Sequence, residues 1–394
     1  MNKLFNIDNI KLFIVICLSA ITTIIQMPLS NVSAQEGCFD YLSKNNNLIR
    51  VGISNNNFSK LEYNSIDIGA TGIYKVIDKT SGKLLTELEP SQIINITISN
   101  SKFTVKANDT VLVDMVAGPL IIKTDANSKL KVAGLYRGGK PALYRGIFEI
   151  ARTPNSTGRF SLINVLPLEE YLRGVVPNEI PVYFGIEAVK AQAIAARNYA
   201  VRPRTRTYNN FDVCDSVASQ VYFGANTETT ISDRAIEETE GLYSLYDGEI
   251  ILALYSSTAG GYTESYENAF TQPGSTVFPS TPKPYLKGKP DIPGTPPLYD
   301  EAAAEAFYTS KPQSFDINSS YYRWTKKWTR EELENTLKQT LPTVSNTGML
   351  LPSFRTGQNL GTLKELRVVS RGVSGKAMLV EIITDQGSWV IKKE

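Results

Sequence analysis

Residues 164–201 read NVLPLEEYLRGVVPNEIPVYFGIEAVKAQAIAARNYAV, and the rest of the chain is best understood from this stretch. Pro177 and Pro181 bracket Glu179 in the segment Pro177-Asn178-Glu179-Ile180-Pro181. Each proline fixes its own φ and keeps the residue before it out of the α region, so the spacing predicts a stiff loop carrying a positioned carboxylate. The run Ile186 to Val201 has alanine at 188, 191, 193, 195, 196 and 200, and its high propensity predicts a helix. Ile186, Lys190, Ala193 and Arg197 fall at i, i+4, i+7 and i+11 and share one face. Two cations with small residues between them suit the approach of something negative, although a solvated face is the plainer reading of the same spacing. A glutamate between prolines can equally be an ordinary loop residue.

A chain of 394 residues can bury a large core and form two or more lobes. Its formal charge of +2 offers no nucleic-acid footprint. The sequence contains no histidine. That excludes Ser-His-Asp and Cys-His pairs and His-ligated zinc hydrolase sites, and leaves proton transfer to carboxylates, Tyr, Lys or Cys.

Lys3 and Lys11, the apolar run Leu12 to Ile25, and the small-residue site Val32-Ser33-Ala34 form the three-part pattern of a secretory signal cleaved after Ala34. An uncleaved anchor is the alternative, though the run is short for a membrane span. The protein is therefore expected to be exported, to the periplasm or cell wall. Cys17 leaves with the signal, and Cys38 and Cys214 could then form one disulfide.

Short strands separated by Asn, Asp, Ser and Gly are expected at 48–54, 93–99, 102–107, 110–116, 119–124 and 129–134, with two more at 144–150 and 159–165. Leu168 to Leu172 reads as a short helix opened by Pro167. Downstream, residues 231–239 read as a helix capped by Ser232. Asp247-Gly248 reads as the type I′ turn of a hairpin spanning 242–255. Thr329 and Glu332 form a capping box opening a helix at 329–341. Strands at 364–372 and 377–384 follow, and the chain stops at Glu394 as though a last strand or loop were missing. The expected class is α+β: a β-rich N-terminal lobe and a mixed α/β catalytic core with a few short helices.

Three further segments carry chemistry. Ser256-Ser257-Thr258-Ala259-Gly260-Gly261 offers hydroxyls and glycines whose N–H groups could meet a ligand, or simply a tight turn. Cys214 has no nearby second Cys and reads as a buried thiol or half of a disulfide. Tyr222, Tyr255 and Tyr262 could line a sugar cleft, since tyrosine pairs an apolar face with a polar tip.

Read in order, these segments resemble the stage II sporulation protein D family, which includes bacterial amidase-enhancer proteins. The resemblance rests on residues 166–181, on 187–197, on Gln220-Val221-Tyr222-Phe223-Gly224 and on Glu238-Thr239-Glu240-Gly241. It continues through Tyr255-Ser256-Ser257-Thr258-Ala259-Gly260-Gly261, Tyr285-Leu286-Lys287-Gly288 and Trp328. It covers roughly 48 to 394, and the ordered motifs are far more specific together than singly. The expected organisation is the 1–34 signal, a β-rich domain over 35–140 and a core domain over 141–394; the resemblance implies a C-terminal truncation, since family members usually continue beyond the equivalent of Glu394.

What the resemblance implies chemically is a peptidoglycan lytic transglycosylase. It would cut glycan strands lacking stem peptides, with Glu179 as catalytic acid/base and Lys190 and Arg197 supporting it. A single carboxyl group can protonate the glycosidic oxygen and then deprotonate the sugar's own hydroxyl, so no second carboxylate is required. Tyr222, Tyr255, Ser257, Thr258, Gly260 and Gly261 would form the substrate-binding wall. The alternative is a non-catalytic enhancer of an N-acetylmuramoyl-L-alanine amidase. Glycan strands are the expected partner, with a cell-wall amidase the partner of the enhancer alternative; no nucleic acid and no cofactor are expected. Family members typically bind zinc through Cys and His at the Cys214 segment. Here Ala218 and Ser219 occupy the His and second Cys positions, so no metal site is expected.

Overall fold

Period-two alternation builds the first half of the chain. The computed structural model describes residues 47–201, 208–271 and 275–392, all within one unit spanning Asn45–Glu394. The expected signal, Cys17 and Cys38, and the arginines at 202, 204 and 206 lie outside the described residues.

Twelve strands come first: β1 Leu48–Gly52, β2 Ser65–Ala70, β3 Tyr74–Asp78, β4 Leu84–Leu88, β5 Ile94–Ser99, β6 Lys102–Ala107, β7 Thr110–Val116, β8 Leu120–Thr124, β9 Leu130–Arg137, β10 Lys140–Tyr144, β11 Ile147–Arg152 and β12 Phe160–Pro167. In β5 and β6 alternate residues are buried, as a half-solvated strand requires. Asn100 and Ser101 both take positive φ, and their two-residue turn closes the β5–β6 hairpin. β13, Val213–Cys214, joins a seven-stranded sheet in the order β13-β1-β12-β11-β8-β3-β4; a six-stranded sheet runs β10-β9-β2-β5-β6-β7. The two sheets share one core, with Val51, Ile68, Ile94, Phe103, Ile122 and Phe148 inside it. The expected division at 140/141 falls at the first residue of β10, inside its hairpin with β9.

β12 is buried along nearly its whole length and delivers the chain to the helices. These are α1 Leu168–Arg173, α2 Val176–Glu179, α3 Ile186–Val201 and α4 Thr230–Glu238. α3 has the expected bounds and buries Val189, Ala193, Ala196, Arg197 and Asn198, and it packs against α1, α2 and α4. The small alanines allow that close approach. α4 is capped by Thr229 rather than Ser232. Ser232 is the third helical residue, and its side chain bonds back to the cap in a reciprocal box.

After the β14–β15 hairpin (Leu245–Tyr246, Glu249–Ile250) come α5 Tyr266–Ala269, α6 Glu301–Ser310 and α7 Arg330–Asn346. Both turn residues of the hairpin, Asp247 and Gly248, have positive φ, as a type I′ turn needs. α7 opens with the Thr329–Glu332 capping box. It covers a four-stranded sheet, β16-β19-β18-β17, built from Leu350–Leu351, Leu363–Arg371, Ala377–Thr384 and Gly387–Lys392. That sheet and α7 have a core of their own, with Leu341, Leu360, Ile382 and Trp389. The last strand, Gly387–Lys392, pairs along β18. The architecture is α+β.

Candidate functional site

Pro177 sits in the first turn of α2, where a missing N–H costs nothing, so Glu179 closes one helical turn rather than riding a loop. Ile180 is extended at φ −137° and ψ 135°, the conformation Pro181 imposes on the residue before it. Both prolines therefore fix Glu179, but by ending a helical turn.

Its carboxylate meets two donors. Val221 N–H donates to Oε1 at 2.7 Å, and the Tyr255 hydroxyl donates to the same carboxylate. Burial pushes the Glu179 carboxyl above its ordinary value, and the two donors pull part of the way back. Among the described residues no cation forms an ion pair with it.

Behind Tyr255 stands Gln220, fully buried. Its Nε2 donates to Ala196 O at 3.3 Å and to the Tyr255 hydroxyl at 2.9 Å, while Oε1 accepts from the Tyr171 hydroxyl at 3.1 Å. A carbonyl only accepts, so Ala196 fixes which end of the amide is nitrogen. The Tyr255 oxygen is thereby occupied as an acceptor, and its single proton is left for Glu179. Neither Gln220 nor Tyr171 is legible as a site residue from spacing, because these contacts span 35 and 49 positions.

Lys190 and Arg197 share the predicted face but do not reach Glu179. Lys190 bonds Glu187 at 2.9 Å and Glu238 at 2.6 Å. Arg197 is buried and grips Glu169 with two bonds of 2.8 and 2.7 Å. The negative groups that approach this face come from the chain itself.

The residues expected in the substrate wall are placed as follows by the fold. Tyr222 is buried at 1% exposure, donates to Asn164 Oδ1 at 2.7 Å and packs against Tyr144 and Tyr171, so it belongs to the core. Ala259 and Gly260 do present N–H donors, with Gly260 and Gly261 at positive φ. Both donors are taken by Asp316 Oδ2, at 2.7 and 2.8 Å. Thr258 bonds Ser319, and the Arg323 guanidinium holds Gly260 O at 2.9 Å. Ser257 is exposed and Tyr262 is buried. Beside Glu179 in sequence, Tyr183 and Phe184 are exposed and meet edge to face.

The Cys214 loop is secured by hydrogen bonds and one ion pair. Cys214 Sγ lies 3.3 Å from the Tyr208 and Ser216 hydroxyls and 3.5 Å from that of Ser219. Asp215 and Arg137 pair at 2.7 Å with neither side chain exposed, and Ser54 donates twice more to Asp215. One thiol among hydroxyls does not fit zinc, and among the described residues no group of three His, Cys, Asp or Glu could hold a metal ion.

An α+β chain with a half-buried glutamate at a helix end, its carboxyl raised by burial, is thus defined. Residues 156–246 match the stage II sporulation protein family model (SpoIID), and residues 272–394 match a separate model described as a domain of unknown function. The amidase enhancer of Bacillus subtilis (strain 168) is 39% identical over 120 residues, covering 30% of this chain and 15% of that protein. An uncharacterized protein of Brachyspira hyodysenteriae is 36% identical over 111 residues, 28% of this chain and 30% of its own. Stage II sporulation protein D of Bacillus subtilis (strain 168) is 32% identical over 162 residues, 37% of this chain and 46% of its own. The chain spans less than half the length of each of these relatives. Residues 156–246 are thus similar to the stage II sporulation protein family, and stretches of the chain to relatives named stage II sporulation protein D and amidase enhancer.

Proposed function

We propose that this is an exported cell-wall protein acting on peptidoglycan glycan strands, as a lytic transglycosylase in which Glu179 is the general acid and then the general base. The observation that carries the reading is the Glu179 environment: burial raises its proton affinity, while Val221 N–H and the Tyr255 hydroxyl fix its orientation. A carboxyl group that keeps its proton nearer neutral pH can protonate a glycosidic oxygen. Its conjugate base can then take the proton from the sugar hydroxyl that closes an anhydro ring. Tyr183 and Phe184, exposed on the turn after Glu179, offer apolar faces on which a pyranose ring can rest.

A second reading is a non-catalytic enhancer of a cell-wall amidase. It is favoured by the internal commitment of Lys190 and Arg197, which leaves the carboxylate without an ion-pair partner among the described residues. Digestion of peptide-stripped glycan strands decides between them. Wild-type protein should release anhydro-sugar ends, and Glu179→Gln should lower that rate by about 10²–10⁴-fold. Absence of such ends with wild-type protein overturns the enzyme and leaves the enhancer, which is read by added amidase.

A further inference from the structure

The β5–β6 turn, the residues before β8, the end of β11 and residues 208–212 line a half-open cavity of about 770 Å³. That is within the range of small-ligand sites, about 300–1,000 Å³. None of Glu179, Gln220 and Tyr255 lines it.

Its floor is the buried Glu149, paired with Arg50 at 2.7 Å and with Lys79 behind it at 2.8 Å. Burial alone would raise the Glu149 carboxyl, but these two cations hold it below its ordinary value, so the floor is ionised and cation-rich. At the mouth, Lys102 and Arg152 are exposed and form no ion pair among the described residues. The other carboxylate, Asp212, already accepts the Arg50 backbone N–H at 3.0 Å. Three cations, Arg50, Lys102 and Arg152, thus line the cavity against two carboxylates, both committed, with Lys79 behind the floor.

One wall is Tyr208 stacked on Phe211, ring centroids 4.5 Å apart and planes 27° from parallel. Tyr208 remains half-exposed. The opposite wall is rigid: Ser101 N–H donates to Thr157 O at 2.8 Å, which pins the hairpin turn.

We propose that this cavity binds a carboxylate-bearing oligosaccharide, as a glycan site separate from Glu179. An aromatic face receives the C–H side of a pyranose ring, and Asn100 and Asn209 at the mouth can bond its hydroxyls and amides. Lys102 and Arg152 receive the carboxylate in charge-assisted bonds. The anionic part of this assignment rests on the charges; the saccharide part rests on the wall-glycan reading above.

The test is calorimetric binding by the whole protein in the Glu179→Gln background, where turnover is blocked. Two probes are compared: a peptide-free tetrasaccharide of alternating N-acetylglucosamine and N-acetylmuramic acid, and the neutral N-acetylglucosamine tetramer. The anionic probe should bind about tenfold tighter, the effect of one good charge-assisted contact, and the preference should shrink with salt. Lys102→Glu combined with Arg152→Glu, both at exposed positions, should erase the preference without moving the melting temperature. Equal binding of the two probes, no binding of either, or a preference that survives the double reversal would each overturn the site. A protein that forms no anhydro ends yet shows this preference would refute only the role of Glu179.

Discussion

Gln220 Nε2 lies 2.9 Å from the Tyr255 hydroxyl and so decides where that tyrosine's one proton points. With the oxygen engaged as an acceptor, the proton faces Glu179, and the acid is oriented by a side chain it does not touch. Tyr255→Phe removes a donor that favours the Glu179 carboxylate. The carboxyl should then titrate at higher pH, read by ¹³C NMR of labelled glutamate. Gln220→Leu should move it the same way. A titration unmoved by either change would show that the relay does not act on Glu179.

Glu179 should also destabilise the fold at neutral pH. Burial raises its folded-state pKa above the unfolded value, so the native state holds the proton more tightly. That contribution is complete below the unfolded pKa and is lost as pH rises through the folded one. Glu179→Gln keeps an acceptor for Val221 N–H but never ionises. Urea denaturation should find the variant gaining on wild type as pH rises above the ordinary glutamate value of about 4.3. A gain that runs the other way with pH contradicts the raised pKa.

The Arg137–Asp215 pair anchors the loop that carries Val221. Asp215→Asn leaves the unexposed guanidinium of Arg137 without its counter-charge, at a cost of about 3–5 kcal/mol. Chemical denaturation measures this directly. A loss below about 1 kcal/mol would mean that water reaches Arg137.

Gly174 is a packing requirement. A Cβ there would stand 2.6 Å from both Gly224 O and the Tyr222 ring, and backbone cannot yield as a flexible side chain would. Gly174→Ala should therefore cost about 1–3 kcal/mol, seen as a lower melting temperature.

Lys190 separates support of structure from support of chemistry. It bridges Glu187 on its own helix and Glu238 at the end of α4, both toward the surface. Surface pairs of this kind contribute little stability. Lys190→Gln should leave the melting temperature in place. If glycan cleavage falls as well, the lysine leaves its partners to meet substrate; unchanged cleavage would make it a surface tie.

Alternation made most of the double sheet readable, with β6, β7 and α3 found at their exact bounds. β3 and β4 are hidden in the sequence because Lys75, Asp78, Thr86 and Glu87 interrupt their apolar pattern; the sheet accepts them through an exposed Lys75–Glu87 pair across β3 and β4. Glu179 was legible because its prolines are neighbours in sequence. Gln220, Tyr171 and the Asp316 contact were not, since each acts across dozens of residues that only the folded chain brings together. Tyr222 misled for the reverse reason: its residue type suits a cleft wall, and burial alone decides that it is core.

The carboxylate of Asp316 on the N–H groups of Ala259 and Gly260 has a practical consequence. A fragment cut before Asp316 would present an empty anion cradle made of two aimed backbone donors. Buffer phosphate or sulfate would settle there and mimic a ligand. Binding measured on such a fragment would report the severed half of its own chain.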